Sequence, residues 1–159
     1  MKLLRIVDDH KRLHELGLDQ ELQKFLGDEW KVEYYHVTNK KMVIQLFPEE
    51  KEADVLDWID IQNDEVFFLW NYFWNEPREG LQKKIKERIL DLINQGARIK
   101  IQIYTSYGSS CESAEEQKEY VEYFGENIMV DSPETIMYHR GIISDWAERE
   151  AKKLKNLYK

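Results

Sequence analysis

The ten residues "EVFFLWNYFW" (65–74) decide how the rest of the chain must fold. They are strongly apolar and do not alternate, so neither face of a strand made from them can look at water. Such a strand belongs in the middle of a sheet whose two faces are both covered. Leaving Val66, Phe67, Phe68 and Leu69 exposed instead would cost on the order of 1.5–3 kcal/mol each. The stretch therefore predicts a central strand, and its neighbours in sequence are read as the elements that flank and cover it.

To the carboxyl side, "PREGLQKKIKERILDLINQG" (77–96) sets Leu81, Ile85, Ile89, Leu92 and Ile93 on one helical face and ends at Gly96. "ARIKIQIYTS" (97–106) alternates, with Ile99, Ile101 and Ile103 on one side and Lys100 and Gln102 on the other. "SAEEQKEYVEYFG" (113–125) reads as a helix opened by Ser113, "NIMV" (127–130) as a last short strand. "SPETIMYHRGIISDWAEREAKKLKNLY" (132–158) reads as a closing helix with Pro133 near its start.

To the amino side, "KLLRIV" (2–7) has the compact form of a strand. Residues 10–30 carry Leu13, Leu16, Leu18, Leu22, Phe25 and Leu26 at helical spacing, with Gly27 as a stop. "KVEYYHVT" (31–38) is a β-branched and aromatic strand. "NKKMVIQLF" (39–47) predicts a helix capped by Asn39, with Met42, Val43 and Leu46 on one face, broken by Pro48. "EKEADVLDWIDIQ" (50–62) predicts a further helical turn or two.

Five strand–helix units in alternation imply a mostly parallel sheet with helices on both faces. The expectation is a single doubly wound α/β domain over 1–159, flavodoxin-like, with five parallel strands in the order 2-1-3-4-5. In such a sheet, ligands gather where the strands end.

The bulk properties narrow the function. Five Trp and nine Tyr in 159 residues supply a core without staples. A net charge of −8, with no Lys/Arg-rich stretch interleaved with aromatics, argues against nucleic acid as a partner. The single cysteine, Cys111, excludes an internal disulfide and a cysteine-built zinc cluster, and its polar surroundings read as an exposed loop with an incidental thiol. Neither a signal-peptide core nor a run long enough to span a bilayer is present, so the expectation is a cytoplasmic protein with no membrane association.

The strand ends carry the chemistry. The first ends in Asp8 and Asp9, followed by His10; the fourth ends in "YTSYG"; the fifth runs into Asp131, Ser132 and Pro133. This layout, with its opening "LLRIVDDH", resembles the receiver domains of response regulators. The resemblance implies that Asp8 and Asp9 hold a magnesium ion and that Thr105, followed by Ser106, supplies the switch hydroxyl. In that family an aspartate ending strand three accepts a phosphoryl group, because transfer to a carboxylate needs a cation to neutralise oxygens and a hydroxyl to read the product.

Two positions depart from the family. After "NIMV" come Asp131, Ser132 and Pro133, with no lysine available ahead of the proline. With "VFFLW" as strand three, the acceptor position falls on Trp70 or Asn71, neither of which forms an acyl phosphate. With "DVLDWID" (54–60) as strand three, Asp60 would serve, at the expense of leaving 65–74 as an apolar insertion; burial favours Asn71. The coherent expectation is an atypical or pseudo-receiver, without turnover, that binds a protein partner or a second copy of itself. A magnesium-dependent receiver phosphorylated on Asp60 is the alternative.

Other constellations have plainer readings. His10 and His14 are spaced i, i+4, which can chelate a metal, but a solvated helix end accounts for them as well. His36 reads as a polar strand end. "YHRGIISD" (138–145) faintly resembles the H-x-K-x4-D element of phospholipase D-type phosphodiesterases. Aligning Asp145 puts Tyr138 on the histidine and Arg140 on the lysine; aligning His139 puts Gly141 and Trp146 on the other two. A degenerate phosphodiesterase is thus a second alternative, against a helix surface with His139 and Arg140 exposed.

Overall fold

The computed structural model describes residues 1–38, 43–71, 79–105, 122–125, 127–130, 134–135 and 140–158. Its strands are β1 (Lys2–Asp8), β2 (Trp30–Val37), β3 (Ile44–Phe47), β4 (Lys51–Glu52), β5 (Glu65–Asn71), β6 (Arg98–Thr105) and β7 (Glu134–Thr135). The helices with a defined span are α1 (Arg12–Glu15), α2 (Leu18–Leu26), α3 (Glu79–Asn94) and α4 (Arg140–Leu157); residues 122–124 are helical as well. All seven strands join one mixed sheet in the order β4-β3-β2-β1-β5-β6-β7.

The apolar stretch at 65–71 is the centre of this sheet. Strand β5 pairs in parallel with β1 (Leu4 opposite Phe67, Val7 opposite Trp70) and with β6 (Phe68 opposite Ile101, Asn71 opposite Tyr104). Val66, Phe67, Phe68, Leu69 and Trp70 are all fully buried, because each face of the sheet has its own cover. On one face Leu3, Val7, Phe68, Trp70, Ile101 and Ile103 meet Ile85 and Ile89 of α3. On the other, Leu4, Ile6, Phe67 and Leu69 meet Leu22 of α2 and Ile143, Trp146 and Leu154 of α4. At about 1.5–3 kcal/mol per side chain, burying the five central residues of β5 contributes on the order of 10 kcal/mol.

The parallel strands β2, β1, β5 and β6 stand in the relative order expected of strands 2-1-3-4, but the sheet is not the five-stranded one expected. Residues 127–130 contribute only a parallel bridge between Met129 and Ile101, and β7 adds a two-residue pairing beyond it. The larger correction is at 39–47, expected to be a helix. Residues 44–47 are strand β3, antiparallel to β2, and β4 returns antiparallel to β3. The outer edge of β2 would otherwise expose a row of backbone donors and acceptors. Ile44 and Leu46, with Gln45 between them, cover it at strand period. Thr38 ties the end of β2 to the start of β3: its backbone N and Oγ1 both donate to the Val43 carbonyl at 2.8 Å. Asn39 and Met42 lie outside the described residues.

Two further expectations are modified. The helix expected across 10–27 is divided by Gly17, whose φ of 90° lies in the left-handed region that favours glycine. The segment 53–64 forms successive turns with no regular helix, yet drives Val55 fully into the core.

Two polar devices hold these pieces in register. The side chain of Gln23 donates to the carbonyls of Gly27 (3.0 Å) and Trp30 (2.8 Å) and accepts from the Val32 amide (2.9 Å), fixing α2 to the start of β2. Arg5, buried in β1, donates to the Val55 carbonyl at 2.6 Å and lies 3.5 Å from Glu33 of β2, which is buried too.

Candidate functional site at the carboxyl edge of the sheet

Register builds the site. His36 of β2 lies opposite Asp8 of β1, and Asn71 of β5 opposite Tyr104 of β6. Since Val7 faces Trp70, the next step along the same pairing sets Asp8 beside Asn71. Side chains alternate along a strand, and Tyr34, Ile6, Leu69 and Tyr104 belong to the cluster under α2 and α4. His36, Asp8, Asn71 and Tyr104 therefore share that face: one polar residue from each of four adjacent parallel strands, in a row where the strands end.

Asp8 is 1% exposed and Asp9 3%. Asp8 Oδ1 accepts from the His10 amide at 2.8 Å, and Oδ2 accepts from the Tyr104 hydroxyl at 2.5 Å. The His10 carbonyl accepts from the Tyr34 hydroxyl at 2.7 Å, and the His10 ring nitrogen Nε2 is 3.8 Å from Asp9 Oδ2. Residues 8–10 are thus gripped from β2 and from β6. Burial pushes the Asp8 carboxyl up to about 7; the neighbouring Asp9 charge adds to the rise, while the two hydrogen bonds oppose it. The Tyr104 phenol is raised well above its ordinary value, first by burial and then by the Asp8 charge.

Asn71, 3% exposed, adds an oxygen to this edge: its Oδ1 is buried and has no hydrogen-bond partner among the described residues. Asp8, Asp9 and Asn71 thus offer two carboxylates and one amide oxygen, the oxygen-only donor type that suits a hard divalent cation. Among the described residues no group of three or more His, Cys, Asp or Glu stands close enough to hold a metal.

The remaining candidates lie elsewhere. Asp60 sits in the exposed turn before β5: it accepts from the Gln62 amide (3.0 Å) and from Asn63 Nδ2 (2.8 Å) and donates its own amide to Asp64 Oδ2 (2.8 Å). Asp64 in turn lies 3.2 Å from the amino group of Met1. Asp60 is therefore at the amino end of the sheet, about 20 Å from Asp8 at about 3.3 Å per strand residue, and its carboxyl is held below the ordinary range chiefly by Asn63. Thr105 ends β6, paired with Thr135 of β7. Ser106, Cys111, Asp131, Tyr138 and His139 lie outside the described residues, and of the phosphodiesterase-like element Asp145 is exposed on α4.

His14 corrects the reading of a solvated helix end. Its Nδ1 is 3.0 Å from both carboxylate oxygens of Asp19, and its ring stacks on Phe47 at 4.4 Å. His10 precedes α1, so the two histidines do not form a helical pair. The residue that sequence reasoning missed is Tyr104. Its signal was present: extending the Lys100, Gln102 side of β6 by one step reaches it.

The molecule is an α/β protein on a mostly parallel sheet, with buried carboxylates and a buried amide oxygen at the carboxyl edge. Comparison with protein-family models, with curated proteins and with solved structures gave no match. No helix among the described residues is long and apolar enough to cross a membrane.

Proposed function

We propose that this chain is a flavodoxin-like, receiver-like signalling module that works by binding a protein partner and does not carry a phosphoryl group. The observation that supports this most directly is Asn71. It ends the central strand beside Asp8, the position from which a receiver presents its acceptor carboxylate, and an amide forms no acyl phosphate. The distance of Asp60 from that edge weighs against the phosphorylated alternative. The Tyr104 hydroxyl on Asp8 suits a pocket held in one state by hydrogen bonds, without a phosphate to read.

Magnesium remains compatible with this reading. Asp8, Asp9 and the Asn71 amide oxygen would hold the ion, and it would neutralise the charge that burial otherwise leaves to a proton.

Incubation with acetyl phosphate and magnesium, followed by mass spectrometry, tests the proposal. The wild-type protein is expected to stay unmodified and Asn71→Asp to gain a hydroxylamine-labile adduct at position 71. An adduct on Asp60 of the wild type would overturn the silent-module reading. An inert Asn71→Asp protein, with no change of tryptophan fluorescence on adding magnesium, would remove the receiver likeness itself, since Trp70 lies one residue from the site.

A further inference from the structure

The segment 49–65 carries eight carboxylates against one cation, Lys51, a net of −7 in a chain whose total is −8. Three are answered from other elements: Asp54 by Arg88, Asp64 by the Met1 amino group and Glu65 by Arg98. Glu49, Glu50 and Glu52 are exposed and have no cation partner among the described residues. In the middle of this field stands Trp58, 59% exposed.

The exposure of Trp58 is built in. On its amino side Val55 is fully buried, and the Val55 carbonyl is held by the Arg5 guanidinium at 2.6 Å. The flanking Leu56 and Ile59 pack against the core. Asp57 accepts the Asp54 amide and Asp54 accepts the Leu56 amide, both at 2.9 Å. The loop is fastened from below while the indole is turned out. The backbone at Trp58 takes a φ of 61°, a left-handed conformation that a bulky residue rarely adopts and glycine would adopt freely. The ring already shows what it accepts: Lys51 Nζ lies 4.6 Å from its centroid.

We propose that Trp58, with the acidic strand and turns around it, is the docking surface for a Lys/Arg-bearing segment of a protein partner, whose cation takes over the ring face that Lys51 covers. The proposal rests on the partner-binding reading above and names the chemistry of that partner. Charge selects the occupant. A second copy would bring the same excess of unanswered carboxylates against itself, and nucleic acid or an anionic membrane would be repelled in the same way. An outward aromatic on a fastened loop within a mostly acidic segment is the form an interface anchor takes.

The test uses a dodecapeptide of alternating Arg and Gly, with the Glu–Gly peptide as control, added to the isotopically labelled full chain. The expected result is that the Arg peptide alone shifts the Trp58 indole signal and the amides of 49–59, and that Trp58→Gly weakens binding about tenfold. The same Trp58→Gly protein is expected to melt at a higher temperature, because the left-handed backbone is no longer strained, so lost binding is not lost folding. Equal affinity in wild type and Trp58→Gly, shifts confined to the carboxyl edge, or association of the chain with itself on this face would each overturn the proposal. None of these outcomes bears on acceptor chemistry at Asn71, so this surface and the receiver reading fail separately.

Discussion

Replacing Asp8 by asparagine removes a buried ionisation while leaving the shape of the site in place. The asparagine oxygen accepts the His10 amide as Asp8 Oδ1 does, and its amide nitrogen donates to the Tyr104 oxygen, so both contacts survive with reversed polarity at one of them. The magnitude follows from the raised carboxyl. Folding lifts Asp8 from 3.8 to about 7, a little over three units at about 1.36 kcal/mol each, or on the order of 4 kcal/mol. The sign is fixed by which state holds the proton. The folded protein keeps Asp8 protonated where the unfolded chain has released it, so the wild type is unpenalised below about pH 4, loses stability as pH rises towards 7, and stays at the lower level above it. Urea unfolding in the presence of a chelator, followed by tryptophan fluorescence from about pH 4 to about pH 8, reads this directly. The difference between Asp8→Asn and wild type should grow in favour of the variant across that window and approach about 4 kcal/mol; contributions from Asp19 and the surface carboxylates cancel in the difference. Curves that run parallel over the whole range would refute the argument, because they would mean that the Asp8 carboxyl is solvated or already paired with a fixed cation.

Two further outcomes test the devices that hold the sheet and its covers together. Arg5→Met leaves Glu33 buried with only Lys31, 3.8 Å away, to answer it, and is expected to cost about 3 kcal/mol in denaturant unfolding; Arg5→Met combined with Glu33→Gln should recover most of that loss, and strict additivity of the two changes would show that the pair does not interact. Gln23→Ala removes all three bonds between α2 and the start of β2 and should cost about 2 kcal/mol, with faster hydrogen exchange at the Val32 amide; unchanged exchange there would mean the amide is protected by other means.

The elements that read cleanly in the sequence are those whose pattern is set by one partner surface. The non-alternating run at 65–71, the alternating 98–105 and the single apolar face of 79–94 each report their own burial, and each was found within a few residues of its boundaries. The segment 39–47 is ambiguous on its own, because Met42, Val43 and Leu46 satisfy a helical spacing while Ile44, Gln45 and Leu46 satisfy a strand spacing. Local pattern does not choose between them. The choice was made by β2, whose outer edge needed backbone partners. The acids at 8–9 and Asn71 are legible as strand-end residues, whereas the role of Tyr104 is not, because the register that brings it to Asp8 links positions 96 residues apart.

The amino-acid sequence alone determined that this is an α/β chain with a buried central strand, and that its polar chemistry collects where the parallel strands stop, because hydrophobic period and strand ends are local properties. Only the tertiary structure decided that an antiparallel hairpin extends the sheet, that Asp60 lies at the end away from Asp8, and that a tyrosine hydroxyl answers the buried carboxylate. These depend on pairing between distant strands. The energy of such pairing is shared between both partners and is written in neither one.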